Sequence, residues 1–460
     1  MDRAGTLVRA TAAGTAALAF VAAPAAAHGG AVRGAARDPV AVPTWLFLAT
    51  GGAVVGVSFL LASFVTDRRL VAAVHGWGRR LPDAGPLAVA AARVVGLAGL
   101  AAVVAVGYLG PASGVRNLAV LLVWVGWWGG YVASAYLVGD TWPAMNPFRT
   151  LASALPSLDR PYPERLGAWP AVAGLLALVW LEVTTPLAAD PRLLATVVLG
   201  YAALTLAGAA AFGTDRWFGT VDPVARVLRY YGRVAPLTRT EDGLRLRLPG
   251  SALAERRLVD GRDEVAFVVA LLFVTTYDGF VATGPWATAV RAVVGAGVPP
   301  LVAYLGTYLG GFALALGAYL AAAGAARRWA STYVAPGALA ERFAPPLLAI
   351  AAGYHLAHNL GTVLTLLPTL AVVAAAPLAP PAAPPRLLVP DWLTGVRLGL
   401  VLVGHLLAVW VAHAVAYDLF PDRLQAVRSQ YGVTAVMVAF TMVSLWIVSE
   451  PFVAPPYLGG

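Results

Sequence analysis

An all-α, polytopic transmembrane helical bundle is the fold this sequence predicts, on three observations. Of its 460 residues, 59% are hydrophobic and only 12% are charged, about half the charged fraction of an ordinary soluble domain. Apolar runs long enough to cross a hydrocarbon core of about 30 Å recur along the whole chain. The 32 basic residues, all of them arginine, gather in alternate loops between those runs.

Residues 1–27 read as a cleavable signal peptide: a basic MDRAGTLVR, a short apolar ATAAGTAALAFVAAP and a small-residue AAA. The alternative is an uncleaved first span. Cleavage after Ala27 leaves His28 as the mature amino terminus, and 28–42 becomes an extracytoplasmic tail. Residues 43–460 predict a transmembrane helical domain of about ten spans. They lie near 43–65, 87–110, 117–139, 169–189, 193–213, 264–284, 301–325, 344–372, 393–416 and 430–450. With an extracytoplasmic start, 23 arginines fall on the cytoplasmic side and seven outside, the positive-inside pattern. That distribution predicts a multi-pass protein of the cell (plasma) membrane with both mature termini extracytoplasmic. It also explains the net charge of +9 without nucleic acid as a partner; the expected partner is the lipid bilayer.

The loop 214–263 is cytoplasmic on this reading. Its stretch PLTRTEDGLRLRLPG alternates leucine with arginine around Asp242-Gly243 and predicts a β-hairpin. It contains no phosphate-binding glycine loop, so a structural or docking role is expected. Residues 327–343 are expected along the inner interface. Residues 377–390, PLAPPAAPPRLLVP, hold too much proline for a helix and predict an extended outer linker. The absence of cysteine excludes disulfides, thiolate metal sites and cysteine nucleophiles. The absence of lysine excludes Schiff-base chemistry.

Candidate function rests on the few ionisable residues inside the spans, because such groups are costly in hydrocarbon and mark sites or pathways. Glu182 lies in the fourth span and Asp278 toward the outer end of the sixth. His355 and His358, in GYHLAHNLG of the eighth, share one helix face at i, i+3. His405 lies at similar depth in the ninth. Three imidazoles at one level predict a site for a divalent transition metal, with zinc, copper, iron and nickel all suited. Glu182 or Asp278 would complete the shell or act as general base. Hydrogen-bonded packing histidines and a proton relay are the alternatives. Haem on His405 and His413 fits poorly, since eight residues give about 12 Å of rise and about 80° of rotation. His413 with Asp140, in GDTWPAMNPFR, is a candidate inner site. His28 is a candidate copper ligand through its amine and imidazole. The aromatic run VWVGWWGGYVASAYLVGD, 123–140, reads as packing, its glycines allowing close helix contact and its tryptophans filling volume.

The segments HGG at 28–30, GDTWPAMNPFR at 139–149, YPERLGAWP at 162–170, TTYDGF at 275–280, HLAHN at 355–359 and GHLLAVWVAH at 404–413 carry a resemblance over nearly the whole chain. The sequence resembles the fenitrothion hydrolase-like family of polytopic bacterial and archaeal membrane proteins. It departs from the family pattern at Ala414, where an acid often follows the last histidine, and at Phe148, where tryptophan is common. The resemblance implies phosphotriester hydrolysis. Two functions are therefore expected: a membrane-embedded metal-dependent hydrolase acting on an apolar phosphotriester-like small molecule, or a metal-ion or proton-coupled transporter. An accessory membrane subunit is the third.

Overall fold

The computed structural model describes residues 44–458; the expected signal peptide, the tail and His28 lie outside the described residues. The described chain is mostly helical, as hydrocarbon demands of a backbone that must pair its own amides and carbonyls. In order come α1 (Thr44–Phe64), α2 (Arg68–Gly76), β1 (Gly78–Arg80), α3 (Pro86–Leu109) and α4 (Leu118–Leu137). Next are α5 (Trp169–Thr184), α6 (Pro191–Phe212), α7 (Pro223–Tyr231), β2 (Leu237–Thr240) and β3 (Gly243–Arg247). Then follow α8 (Arg262–Phe280), α9 (Gly284–Gly295), α10 (Pro300–Trp329), α11 (Leu347–Ala375), α12 (Trp392–Leu419) and α13 (Tyr431–Ser449).

Among the described residues seven helices are long and apolar enough to cross a membrane. Two more candidates are bent pairs, α1 with α2 at 113° and α8 with α9 at 84°. Each bend is fixed by a capping side chain at the new helix start: Asp67 accepts from the Arg69 and Leu70 amides, and Thr283 from the Trp286 amide. α5, with 16 residues, is shorter than the others.

The core is built around α8, whose residues from Val265 to Val274 are buried without a polar face. A helix apolar all round is one surrounded by other helices. Here α5, α10 and α11 surround it. α11 and α12 cross most closely at Gly353 and Gly404. A Cβ at Gly404 would lie 2.7 Å from the Ala349 carbonyl oxygen, and one at Gly353 2.9 Å from the Gly404 Cα. Only glycine permits that approach, because the obstruction is backbone.

Connections at one end of the bundle are rich in arginine. There β2 and β3 form the hairpin of the large loop, with Thr240 paired to Gly243. The two turn residues are Glu241 and Asp242, one position earlier than the sequence suggests. Gly243, at φ 104°, supplies the left-handed backbone as the first residue of β3. β1 adds to the far side of β3, giving an antiparallel sheet in the order β1-β3-β2. At the opposite end the segment 377–390 is non-helical, and Arg116 holds it through the Pro380 and Pro381 carbonyls.

Asp222 ties the arginine-rich end to the bundle. Its carboxylate caps α7 by accepting from the Ala225 amide at 2.7 Å, and it accepts from the Tyr201 hydroxyl at 2.5 Å. Burial lifts this carboxyl to about 6, against the pull of those hydrogen bonds. The folded pKa is thus above the unfolded one, so stability falls as pH rises from about 4 to about 6. A shift of that size corresponds to about 3 kcal/mol. Asp222→Asn keeps a capping oxygen and removes the ionisation. Thermal denaturation in detergent should show the wild type losing stability across that window and the variant losing distinctly less.

Candidate functional site

The site grows from α11. His355 lies two residues beyond the Gly353 crossing, about 200° round the helix, which turns its ring away from α12. The ring is buried against three aromatics. Trp128 meets it edge-on at 4.8 Å between centroids, Tyr136 at 5.8 Å and Tyr231 at 5.8 Å. The Tyr136 hydroxyl is 2.9 Å from His355 Nδ1. That contact fixes the orientation of the imidazole, as the outer hydrogen bond of a ligating histidine does. Asn359, one turn on, donates to the His355 carbonyl.

His358, on the adjoining part of the same face, stacks against Tyr354 at 15° between ring planes. Its Nε2 is 3.3 Å from Asp278 Oδ2, a largely buried imidazole–carboxylate pair between α11 and α8. Glu182 from α5 completes the group. Glu182, Asp278, His355, His358, Asn359 and Thr275 line one small cavity of about 30 Å³, closed by Trp128, Val179, Val274 and Tyr354. A cavity needs roughly 10–15 Å³ to hold one water, so this one has room for a water between two imidazoles and two carboxylates.

A second cavity of about 480 Å³ adjoins it, and Trp128, Val179 and Glu182 line both. Its volume lies in the range of small-molecule sites, and its walls are almost entirely apolar. Trp124, Trp127, Trp128 and Tyr131 come from α4; Gly96, Gly99 and Val103 from α3; Leu194, Val198 and Tyr201 from α6. The aromatic wall rests on an unusual backbone: Leu122–Tyr131 is a π-helix, a form concentrated at functional sites. Gly129 lets it lie against α11, since a Cβ there would be 2.5 Å from Val363 Cγ2. The aromatic run is therefore cavity wall as well as packing.

The three-histidine cluster expected from the sequence is not what the helices assemble. Among the described residues no three histidine or acidic side chains are placed to hold a metal ion together. His405 is fully buried, its Nδ1 is 2.8 Å from the Val401 carbonyl oxygen of its own helix, and it does not line the cavity. The cause is angular. Gly404 faces α11 at the crossing, so the next residue points about 100° away from that seam.

His413 and Asp140 are also not brought together. His413 Nε2 lies 2.9 Å from the Val65 carbonyl oxygen, and its ring packs on Trp410 and Tyr417, Trp410 also stacking with His75. Asp140 sits against Gly232 and accepts from the Trp142 amide. Burial lifts its carboxyl to about 6, opposed by that amide and by Arg229 and Arg233.

Sequence reasoning overlooked Tyr136, Asn359 and Trp128 at the site. Asn359 had a signal, being one turn from His355 and next to His358. Trp128 and Tyr136 lay in a run with no periodicity to single them out. No family model matches the chain, and no curated protein or solved structure matches it significantly.

Proposed function

We propose that this protein is an intramembrane metal-dependent hydrolase acting on a neutral, apolar ester, with phosphotriester-like molecules as the substrate class. One observation carries the reading: two imidazoles and two carboxylates line a water-sized cavity that adjoins a larger apolar chamber through Trp128, Val179 and Glu182. The resemblance to the fenitrothion hydrolase-like family supports the choice of phosphorus ester. The proposal includes ten spans, from the apolar runs, and cleavage after Ala27, from the small-residue site that follows the apolar stretch; a plasma-membrane location and extracytoplasmic mature termini rest on the arginine distribution.

By chemistry the donors suit a transition metal of borderline softness, with nitrogen from His355 and His358 and oxygen from Asp278 or Glu182; a bound metal would have to draw these side chains closer together than they stand here. His28, if freed by cleavage, is a candidate copper ligand separate from this site. When bound, such a metal supplies Lewis acidity and a nucleophilic water near neutral pH. The remaining work falls to side chains. Tyr136 holds the His355 ring through Nδ1, so Nε2 would be the atom left to ligate a metal. Asp278 orients His358 through Nε2, leaving its Nδ1 for coordination or proton transfer. Glu182 is the polar group common to both cavities, and it serves as base for the attacking water. The apolar walls receive the ester from the lipid phase and keep bulk water out.

Elemental analysis of the detergent-purified protein, paired with hydrolysis of an aryl phosphotriester, tests this. Near-stoichiometric metal and metal-dependent turnover are expected. Neither metal nor turnover would remove the reading. Weak, reversible metal binding with uptake into vesicles would favour transport instead, for which the His358–Asp278 pair is also suited. Tyr136→Phe is expected to keep the fold and weaken metal retention by roughly 10- to 100-fold, measured by competition with a chelator.

A further inference from the structure

The arginine-rich end carries a feature the proposed chemistry does not use. We infer that the β1–β3 pair, with Arg80 and Arg245 directly opposite one another, is a binding site for the phosphate of an anionic phospholipid in the adjacent leaflet. The register pairs Arg80 with Arg245 in antiparallel strands. Side chains so placed share one face with Cβ atoms about 5 Å apart, and like charges there repel. Protein carboxylates do not relieve the repulsion. Arg239 meets Asp83 at 3.5 Å and Arg247 meets Glu255, but among the described residues Arg69, Arg79, Arg80 and Arg245 have no carboxylate at ion-pair distance.

Two further observations point to a lipid phosphate. First, β1 directly follows α2, which turns 113° away from α1 and exposes Leu70 and Trp77, each about half accessible, at 52% and 50%. A short amphipathic helix with exposed leucine, tryptophan and arginine lies in the membrane interface, so the arginine pair sits at headgroup depth. Second, the Arg245 guanidinium lies across Gly78, where a Cβ would be 2.7 Å from Nε, and its Nη2 is 3.4 Å from the Gly76 carbonyl oxygen. Its position is therefore set by the backbone. Two guanidiniums suit a singly charged phosphodiester, which guanidinium binds by charge-assisted, often bidentate hydrogen bonds. A zwitterionic headgroup adds an ammonium that this surface repels.

The test uses the full-length protein in neutral detergent, with phosphatidylglycerol and phosphatidylcholine titrated separately and binding read by native mass spectrometry and by thermal shift. The wild type should prefer phosphatidylglycerol, less so in high salt. Arg80→Gln and Arg245→Gln should each weaken that preference about fivefold, and the double variant should abolish it. Arg79→Gln, on the opposite strand face, should change it less than twofold. The ratio between lipids remains interpretable even if a variant is less stable overall. The inference fails if the double variant keeps the wild-type preference, or if Arg79→Gln costs as much as Arg80→Gln. It also fails if millimolar inorganic phosphate displaces the lipid, which would make this a site for soluble anions.

Discussion

His355→Ala and His358→Ala should each strip the purified protein of the metal proposed for it and lower the proposed phosphotriester turnover by at least about 100-fold, whereas His405→Ala should retain that metal. The contrast follows from angles, not depth. His355 and His358 line the cavity with Asp278 and Glu182, while His405 is bonded within its own helix at Val401 and stays outside. A group that transfers a proton or holds the attacking water contributes about 10²–10⁴ in rate, and a ligand should cost no less. His405→Ala still removes a buried ring and should cost stability, about 1–3 kcal/mol for a core polar change of this kind. Metal content per folded chain, measured after size-exclusion chromatography, separates the two effects. Equal metal loss in all three variants would restore a three-histidine centre and overturn the geometry described above.

Gly99→Phe should block the apolar chamber while leaving the metal centre loaded. Gly99 lines the chamber from α3, and a Cβ there meets nothing within 4 Å, so the added ring enters open space without displacing backbone. The neighbouring Gly96 offers no such test, since a Cβ would fall 1.9 Å from the Met145 carbonyl oxygen. One methylene in an apolar pocket is worth about 1–3 kcal/mol in kcat/KM. A phenyl group should therefore lower kcat/KM for a bulky aryl ester by roughly 100-fold, and for a small dialkyl ester by less. Steady-state kinetics against a series of ester sizes, with metal content as control, checks this. An unchanged size profile would mean that substrate reaches Glu182 by another route.

The helices were legible because hydrocarbon imposes them, and an uninterrupted apolar run such as Val265–Val274 has no other stable form. The pairing of His355 with His358 followed from spacing, and carboxylates near them were expected from depth. Direction around the helix axis was not legible from depth, which is why His405 was drawn into the site. The glycines held the missing information. Gly353 and Gly404 mark the crossing, and counting residues from them gives His355 and His405 different headings. Asp140 and His413 were matched by level alone, yet one lies beside α7 and the other beside the α1–α2 bend. The π-helix in α4 was hidden because neither a 3.6-residue nor a 2-residue period describes it. Only the glycines at 126, 129 and 130 hinted that this backbone approaches its neighbour closely. The third strand escaped notice because three residues after a short helix carry too little pattern to read.

Whether His355 and His358 hold a metal is decided most directly by X-ray absorption spectroscopy at the metal edge of the purified, mature protein, compared with His358→Ala. The expected spectrum shows a shell of nitrogen and oxygen at about 2.0–2.1 Å, as for zinc, with the scattering signature of at least two imidazoles, one of which disappears in the variant. A spectrum without imidazole scattering, or one that His358→Ala leaves unchanged, would contradict a metal held by these histidines.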